Sequence, residues 1–333
     1  MGLSSPAYRT ISALDRWLAG AQVRLRERAG SLVGLFFHGL LDAKELATGA
    51  AYPQQGTTPQ FFASVIECFQ DAQYRFISPE ELAEGVDPAQ KYALLTFDDG
   101  YFNNSRAVPI LEKYRAPATI FVSALHVQEE RGFWWESLYH LRRKQNRSDQ
   151  EIGAEMGCLN SLRTPEIIRR VGPELGDNLF AWRGDADRPF RRTELQEISR
   201  HPLISIGNHT ADHDILTASS ADEAEASIAT AQEVLAAIIG KRPISIAYPN
   251  GSVNESVRRS AERHGLKIGF TAERRKEYLP QALSSERRML LGRFLPVGNL
   301  GAREQADYFR SDLMVLARLQ QLKGAIALRS NKG

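Results

Sequence analysis

The sequence has few cysteines, almost no net charge and no long apolar run. With only Cys68 and Cys158 among 333 residues, we expect neutral or buried thiols, neither a disulfide framework nor a CxxC metal site. A formal net charge of +2 gives no electrostatic case for nucleic-acid binding, which usually needs a strongly basic face. No window approaches the roughly 18 to 20 continuous apolar residues of a membrane span. An apolar content of 43% is instead typical of a protein with a large buried core.

The N-terminal residues 1–31 also lack the uncharged apolar stretch of an export signal. Their apolar residues, among them Leu14, Trp17 and Leu18, follow helical spacing and are interleaved with arginines. The pattern predicts an amphipathic helix packed on the domain. Peripheral contact with an anionic membrane, through the arginines and Trp17, is the alternative. We therefore expect a cytoplasmic protein, with association with the inner face of a membrane as an option.

From residue 32 onward, short apolar runs alternate with helical patterns, which is typical of a parallel sheet covered by helices. Seven or eight such units in about 300 residues predict an α/β fold, an irregular (β/α) barrel of seven or eight strands. The expected strands are 32–37, 74–77, 92–97, 118–122, 203–207, 244–248, 268–271 and 290–295. Three capping boxes mark helix starts: Ser78 with Glu81, Thr193 with Gln196, and Ser220 with Glu223.

The stretch from about 123 to 192 interrupts this rhythm and is too long for an ordinary barrel loop. Helical patterns near 134–145, 148–156 and 165–171 predict a helical insertion, which could act as a lid near the strand ends. Beyond the barrel domain, 32–300, the residues 301–333 predict a helix over 303–322 followed by a basic tail at 329–333.

Two adjacent carboxylates, Asp98 and Asp99, follow the strand at 92–97. Like charges this close raise the pKa of one carboxyl unless a metal or an arginine compensates. A second strand, 203–207, leads into His209 and His213. Two acids and two imidazoles at strand ends are the components of a mononuclear metal site with a spare carboxylate for proton transfer.

Three motifs, TFDDG at 96–100, HTADH at 209–213 and AYPNG at 247–251, resemble those of the polysaccharide deacetylase family, the NodB-homology domain, over roughly residues 32–297. The resemblance implies that Asp99, His209 and His213 bind a divalent metal, with zinc expected and cobalt, nickel or manganese as alternatives. It also implies that Asp98 is the general base. The Tyr248–Asn250 segment would contact the substrate, and the backbone N–H of Asn250 would stabilise the oxyanion.

The sequence departs from the family pattern at two places. Ala247 stands where many members have the arginine that pairs with the catalytic aspartate, so Arg293 is the candidate for that pairing, with a surface arginine as the alternative. The late Leu-x-His motif, which supplies the general acid in many members, is absent. His38, which resembles the YH element of related deacetylases, could be that acid or could support the site; a structural role is an equal alternative.

Candidate sugar-binding groups are aromatic: Tyr101, Trp134 and Trp135 could stack on a sugar, although core packing explains the tryptophans equally well. A basic stretch, Arg142 to Arg147, could meet an anionic glycan or nucleotide sugar; a solvated helix face is the simpler alternative.

These features together predict a metal-dependent carbohydrate N-deacetylase. Its substrate would be an N-acetylated amino sugar in a glycan or glycan precursor, in the biosynthesis or modification of a surface polysaccharide. Two alternatives stay open: a hydrolase of the same fold acting on a non-sugar C–N bond, and a catalytically impaired, metal-containing glycan-binding protein.

Overall fold

The computed structural model describes residues 6–53, 56–160 and 162–313. Its strands are β1 (Ser31–Phe37), β2 (Gly39–Leu40), β3 (Gly56–Thr57), β4 (Arg75–Phe76), β5 (Tyr92–Phe97), β6 (Ala118–Val122), β7 (Ile204–Asn208), β8 (Ser245–Ala247), β9 (Ile268–Phe270), β10 (Glu277–Tyr278) and β11 (Arg293–Phe294). Its helices are α1 (Pro6–Leu25), α2 (Ala43–Thr48), α3 (Pro59–Asp71), α4 (Pro79–Glu84), α5 (Val108–Tyr114), α6 (Ala124–Gln128), α7 (Trp134–Lys144), α8 (Asp149–Leu159), α9 (Thr164–Leu175), α10 (Arg192–Ile198), α11 (Ala221–Ile239), α12 (Glu255–Arg263) and α13 (Ala302–Arg310).

The sheet is a curled barrel of about seven parallel strands. β1, β5, β6, β7, β8 and β9 pair in that order, and β11 pairs in parallel with the free side of β1. A single bridge between Phe270 and Leu291 joins β9 to the residues that lead into β11, so the two edges of the sheet meet there. β10 runs antiparallel to β1 and makes the sheet mixed. The predicted irregular (β/α) barrel is confirmed.

Burial on both faces explains why the strands are continuous apolar runs. All six residues of β5 are buried, and the main core packs the sheet against helices that include α3, α5 and α11. Because the barrel strands are parallel, their carboxyl ends lie at one edge, and the residues that follow β1, β5, β7, β8 and β9 converge there.

Two of the three predicted capping boxes are present, at Ser78 and at Ser220. The third prediction, Thr193 with Gln196, is wrong. α10 begins two residues earlier, with Arg191 as its N-cap, because the carboxylate of Glu194 accepts a hydrogen bond from the backbone N–H of Arg191 at 2.8 Å. An acidic side chain one turn into the helix therefore fixes the start in place of a threonine hydroxyl.

The stretch predicted as a helical insertion contains α7, α8 and α9, close to the expected positions. These helices enclose a small core of their own, built from aromatic and aliphatic side chains such as Phe133, Trp135 and Leu138. Of the two cysteines, Cys68 is buried on α3, whereas Cys158 on α8 is exposed.

The C-terminal helix starts as predicted but α13 ends at Arg310, because Ser311 has an extended backbone. The predicted continuation from 314 to 322 and the basic tail at 329–333 lie outside the described residues.

Helix α1 packs against α13 at the edge of the barrel. The Asp15 carboxylate accepts a hydrogen bond from the Tyr308 hydroxyl at 3.1 Å. The apolar side chains of Leu14, Trp17 and Leu25 are nevertheless exposed, and peripheral membrane contact through the arginines and Trp17 stays a prediction. Within the described residues, no helix is long and apolar enough to cross a membrane.

Candidate active site

Asp99, His209 and His213 converge at the carboxyl edge of the barrel. Asp99 follows β5, and the two histidines follow β7. The Oδ1 atom of Asp99 lies 3.4 Å from Nε2 of His209 and 3.5 Å from Nε2 of His213. This oxygen is buried and has no hydrogen-bond partner among the described residues. A buried carboxylate oxygen without a donor, beside two imidazole nitrogens, fits a divalent cation.

The second nitrogen of His209 determines which tautomer faces this cluster. Nδ1 lies 2.8 Å from the backbone carbonyl oxygen of Ala247. Because a carbonyl only accepts hydrogen bonds, Nδ1 must carry a proton, so Nε2, which faces Asp99, is the nitrogen available to a cation. Burial lowers the pKa of His213 to about 4, so this imidazole is neutral, whereas the Asp99 and Asp98 carboxylates outweigh burial and raise the pKa of His209. Neutral imidazoles are the form that ligates metals.

Asp98 is held by Arg293 in a buried, two-pronged ion pair. Nη1 and Nη2 of Arg293 donate to the two carboxylate oxygens at 2.7 and 2.8 Å. The same guanidinium donates to the Thr96 hydroxyl and to the carbonyl oxygen of Thr271. Burial raises the pKa of Asp98, but the charge and hydrogen bonds of Arg293 outweigh burial and leave that pKa below its ordinary value. Arg293 is only 1% exposed, so it is not the surface arginine considered as the alternative.

A cavity of about 890 Å³ opens over these residues. The predicted site residues on its wall are His38, Asp98, Asp99, Trp135, His209, His213, Tyr248, Asn250 and Arg293, and the remaining wall includes Phe36, Tyr52, Thr57, Met156, Asn160 and the loop 295–299. The cavity therefore joins the carboxyl edge of the barrel to the helices of the predicted insertion.

His38 follows β1 and lines the cavity. Its Nδ1 atom is buried and has no hydrogen-bond partner among the described residues. The ring packs edge-to-face on Phe36 with centroids 5.7 Å apart and lies near Asp98 and Asp99, a position compatible with proton transfer.

Asn250 and Tyr248 occupy different environments. Asn250 has a left-handed backbone (φ 54°), and its side-chain amide donates to the carbonyl oxygen of Asn160 at 3.0 Å. This bond ties the loop after β8 to the end of α8. Tyr248 is 1% exposed, and its ring packs with Ile228 and Val257 in the cluster behind the sheet. Its hydroxyl lies against Gly269 of β9, so the ring supports the barrel.

Of the three aromatic residues predicted to stack on a sugar, Trp135 alone lines the cavity. Its ring centre lies 5.0 Å from that of His213. Trp134 and Tyr101 are buried in the core of α7 to α9. Core packing, the alternative given for the tryptophans, describes Trp134, and neither Trp134 nor Tyr101 is among the residues that line this cavity.

The basic stretch on α7 is engaged in ion pairs. Arg142 is buried and donates to the carboxylates of Glu155 and Glu174. Arg143 and Arg147 pair with acidic residues of α8. These pairs hold the helices together, and the predicted anionic-ligand role is not supported by the placement of these side chains.

Sequence reasoning missed Tyr52, Thr57 and Glu136. The hydroxyls of Tyr52 and Thr57 are buried without a partner among the described residues, and both residues line the cavity. Nothing in their local sequence marks them, because β3 is only two residues long. Glu136 did carry a signal: it is an acid within an aromatic run, and it is fully buried.

Comparison with known proteins gives one consistent family. Residues 85–269 match the family model described as polysaccharide deacetylase. YxkH of Bacillus subtilis (strain 168), named after the same family, is 25% identical over 217 residues, which are 64% of this chain and 57% of that protein. This chain therefore spans less than two thirds of that relative.

Solved structures show the same fold. The Streptococcus pyogenes deacetylase PplD in complex with acetate is 20% identical with a TM-score of 0.57, covering 84% of this chain and 99% of that chain. IcaB from Ammonifex degensii is 17% identical with a TM-score of 0.56, covering 85% and 99%.

Proposed function

This chain belongs to the polysaccharide deacetylase family, and on that basis we propose that it hydrolyses the N-acetyl group of an amino sugar in a glycan or glycan precursor. One observation carries the proposal. The Asp99, His209 and His213 cluster shares a cavity with Asp98, a buried carboxylate kept ionised by Arg293. A cation site next to an ionised base is what amide hydrolysis requires.

Asp99, His209 and His213 would hold the cation, for which zinc is our first proposal. A divalent metal bound there would lower the pKa of a water molecule and polarise the acetyl carbonyl. The ordinary pKa of a water molecule is far too high for it to attack an amide at neutral pH, so the base beside the site has to take up the proton.

Asp98 is that base. Its carboxylate lines the cavity and is paired with Arg293, and the lowered pKa keeps it ionised and able to accept the proton of the attacking water. The guanidinium also fixes both oxygens, so the carboxylate does not reorient between turnovers. We assign the backbone N–H of Asn250 to the oxyanion.

The departing amine needs a proton, and His38 is our candidate donor. It lines the same cavity, and its Nδ1 has no competing partner among the described residues. The family's usual late histidine is absent from the sequence, so a donor in the residue after β1 would complete the acid–base pair with Asp98.

Metal content and acetate release test the proposal. With N-acetylglucosamine oligomers as substrate, Asp98→Asn should retain metal and lose activity by about 10²- to 10⁴-fold, the usual contribution of a general base. His209→Ala should lose both metal and activity. Metal-loaded wild type that binds these oligomers and releases no acetate would instead indicate a glycan-binding protein. Ring opening of cyclic ureides, with no acetate released from the oligomers, would indicate the non-sugar hydrolase.

A further inference from the structure

Four residues at the cavity wall form one continuous chain of hydrogen bonds, two of them lining the cavity and two lying behind it. Nε1 of Trp135 donates to the Tyr101 hydroxyl at 2.7 Å. That hydroxyl donates to Oε1 of Glu136 at 2.8 Å. Oε2 of Glu136 accepts from the backbone N–H of Tyr52 at 2.7 Å. All four residues are at most 5% exposed, so water does not compete for these bonds.

The chain contains an acid, Glu136, that is expensive to bury. Burial raises the pKa of Glu136 to about 8, and an apolar side chain would fill the same space without that cost. The hydrogen bond between Glu136 and Tyr101 exists whether Glu136 is ionised or neutral. Ionised Glu136 accepts from the Tyr101 hydroxyl, and neutral Glu136 would donate to the oxygen of that hydroxyl. A buried acid kept at such a cost suggests a role other than core stability.

The two ends of the chain lie on the cavity wall. Trp135 presents its ring beside His213, and Tyr52 is another residue of the wall. An aromatic face on a cavity wall is a group that packs against the C–H face of a sugar ring.

We propose that Glu136 is a positioning residue that holds Trp135, through Tyr101, and Tyr52, through its backbone, as one sugar-binding wall facing the candidate metal site. The ligand of this wall is an uncharged N-acetylated sugar ring, which rests on the proposed function. Tyr101 follows Asp99 by two residues in the chain, so the same link sets the wall relative to the candidate metal ligands.

Binding of penta-N-acetylchitopentaose, measured by calorimetry in an Asp98→Asn background loaded with zinc, tests the wall without turnover. Tyr101→Phe breaks the middle link and should raise Kd about three- to tenfold, the effect of one lost hydrogen bond. In a Trp135→Phe background the same change should raise Kd less than about twofold, because Tyr101 acts through Trp135. Glu136→Met should raise Kd at least as much as Tyr101→Phe. Glu136→Gln should restore binding, since its amide can accept from Tyr52 and donate to Tyr101.

A matched control is available elsewhere in the molecule. Tyr74 is buried, and its hydroxyl donates to the Glu27 carboxylate at 2.7 Å, the same pair of groups but outside the cavity wall. Tyr74→Phe should lower the melting temperature as Tyr101→Phe does and leave Kd unchanged. A purely structural role of Tyr101 would give both variants the same result.

Each remaining outcome separates the two proposals. Three results would overturn the inference. Tyr101→Phe could raise Kd equally with and without Trp135, Glu136→Met could leave Kd unchanged, or the Asp98→Asn protein with no other substitution could fail to bind chitopentaose. Coupled losses of binding together with a wild type that releases no acetate would leave the wall standing and remove the proposed deacetylation. If wild type releases acetate and the variants bind chitopentaose as tightly as the unaltered protein, the proposed deacetylation stands and the sugar-binding wall is removed.

Discussion

At the scale of single residues, the site depends on how one buried carboxylate is kept charged. Asp98 and Asp99 are adjacent and both buried, an arrangement that would raise the pKa of at least one carboxyl in the absence of compensation. The structure compensates each of them separately. Arg293 neutralises Asp98 through two hydrogen bonds, and Asp99 faces the two histidines. The neighbouring charges are thereby divided between two different partners.

Replacing Arg293 tests this division. In Arg293→Met, no positive charge opposes the effect of burial on Asp98, so the pKa of Asp98 rises. The carboxyl then stays protonated to a higher pH, and in that form it cannot act as a base. We expect kcat to fall at least about 100-fold at pH 7 and the acidic limb of the pH–rate profile to move to higher pH. Arg293→Lys keeps the charge and loses the two-pronged geometry, and its activity should be intermediate. An unchanged acidic limb in Arg293→Met would contradict the role given to this pair.

The sequence predicted the members of the site that its motifs carry, and it could not predict their partners. Asp98, Asp99, His209 and His213 stand out because each group follows an apolar strand. The bond of Arg293 to Asp98 spans 195 residues, and that of Glu136 to Tyr52 spans 84. Contacts between residues so far apart in sequence depend on how the sheet closes and how α7 packs against it. No local sequence pattern predicts either arrangement. Arg293 was found only through the family's missing arginine.

At the scale of secondary-structure elements, the barrel closes through a narrow contact between β9 and the chain near Leu291. The backbone N–H of Leu291 donates to the carbonyl oxygen of Gly269 at 2.9 Å. A Cβ atom at Gly269 would lie 2.3 Å from the carbonyl oxygen of Met289, a backbone atom that cannot move aside. Glycine at this position is therefore a requirement of closure, and Arg293 follows this contact by two residues.

Two glycine-to-alanine changes make a matched pair. Gly269→Ala should lower the free energy of unfolding by about 2 kcal/mol, within the range found for overpacked cores, and should reduce acetate release because β11 carries Arg293. Gly157 lies inside α8 with nothing within 4 Å of an added Cβ. Gly157→Ala should therefore raise the free energy of unfolding by about 0.5 to 1 kcal/mol. Urea denaturation of both variants measures the difference. Equal stabilities would mean that the closure accommodates a side chain at Gly269.

The elements themselves were largely predictable, because buried parallel strands and capped helices leave local patterns. The two-residue strands β2, β3 and β10 were missed, since such short pairs have no periodicity to detect. The start of α10 was misplaced because two capping patterns overlap there, and Glu194, which also pairs with Arg188, is the one that the structure uses. Competition between neighbouring hydrogen-bond acceptors is settled by tertiary contacts rather than by the local sequence.

At the scale of the whole molecule, the candidate metal ligands come from strands that are not neighbours. β6 lies between β5, which leads into Asp99, and β7, which leads into His209 and His213. A cation held by these three side chains would bind the folded barrel and not the unfolded chain, in which Asp99 and His209 are far apart. Ligand binding of that kind stabilises the native state in proportion to the logarithm of free ligand over Kd.

Metal removal should therefore lower the stability of the entire barrel, independently of any catalytic assay. For wild type, free zinc at one hundred times its Kd should add about 2.7 kcal/mol to the free energy of unfolding, and a chelator should remove that gain. Asp98→Asn should show the same gain, because Asp98 is paired with Arg293 and is not a proposed ligand. His209→Ala should show little of it, since one of three ligands is missing and the buried Asp99 oxygen still lacks a donor among the described residues. Thermal denaturation with and without zinc measures all three proteins. A zinc-dependent rise in melting temperature of equal size in His209→Ala would place the ion elsewhere in the molecule.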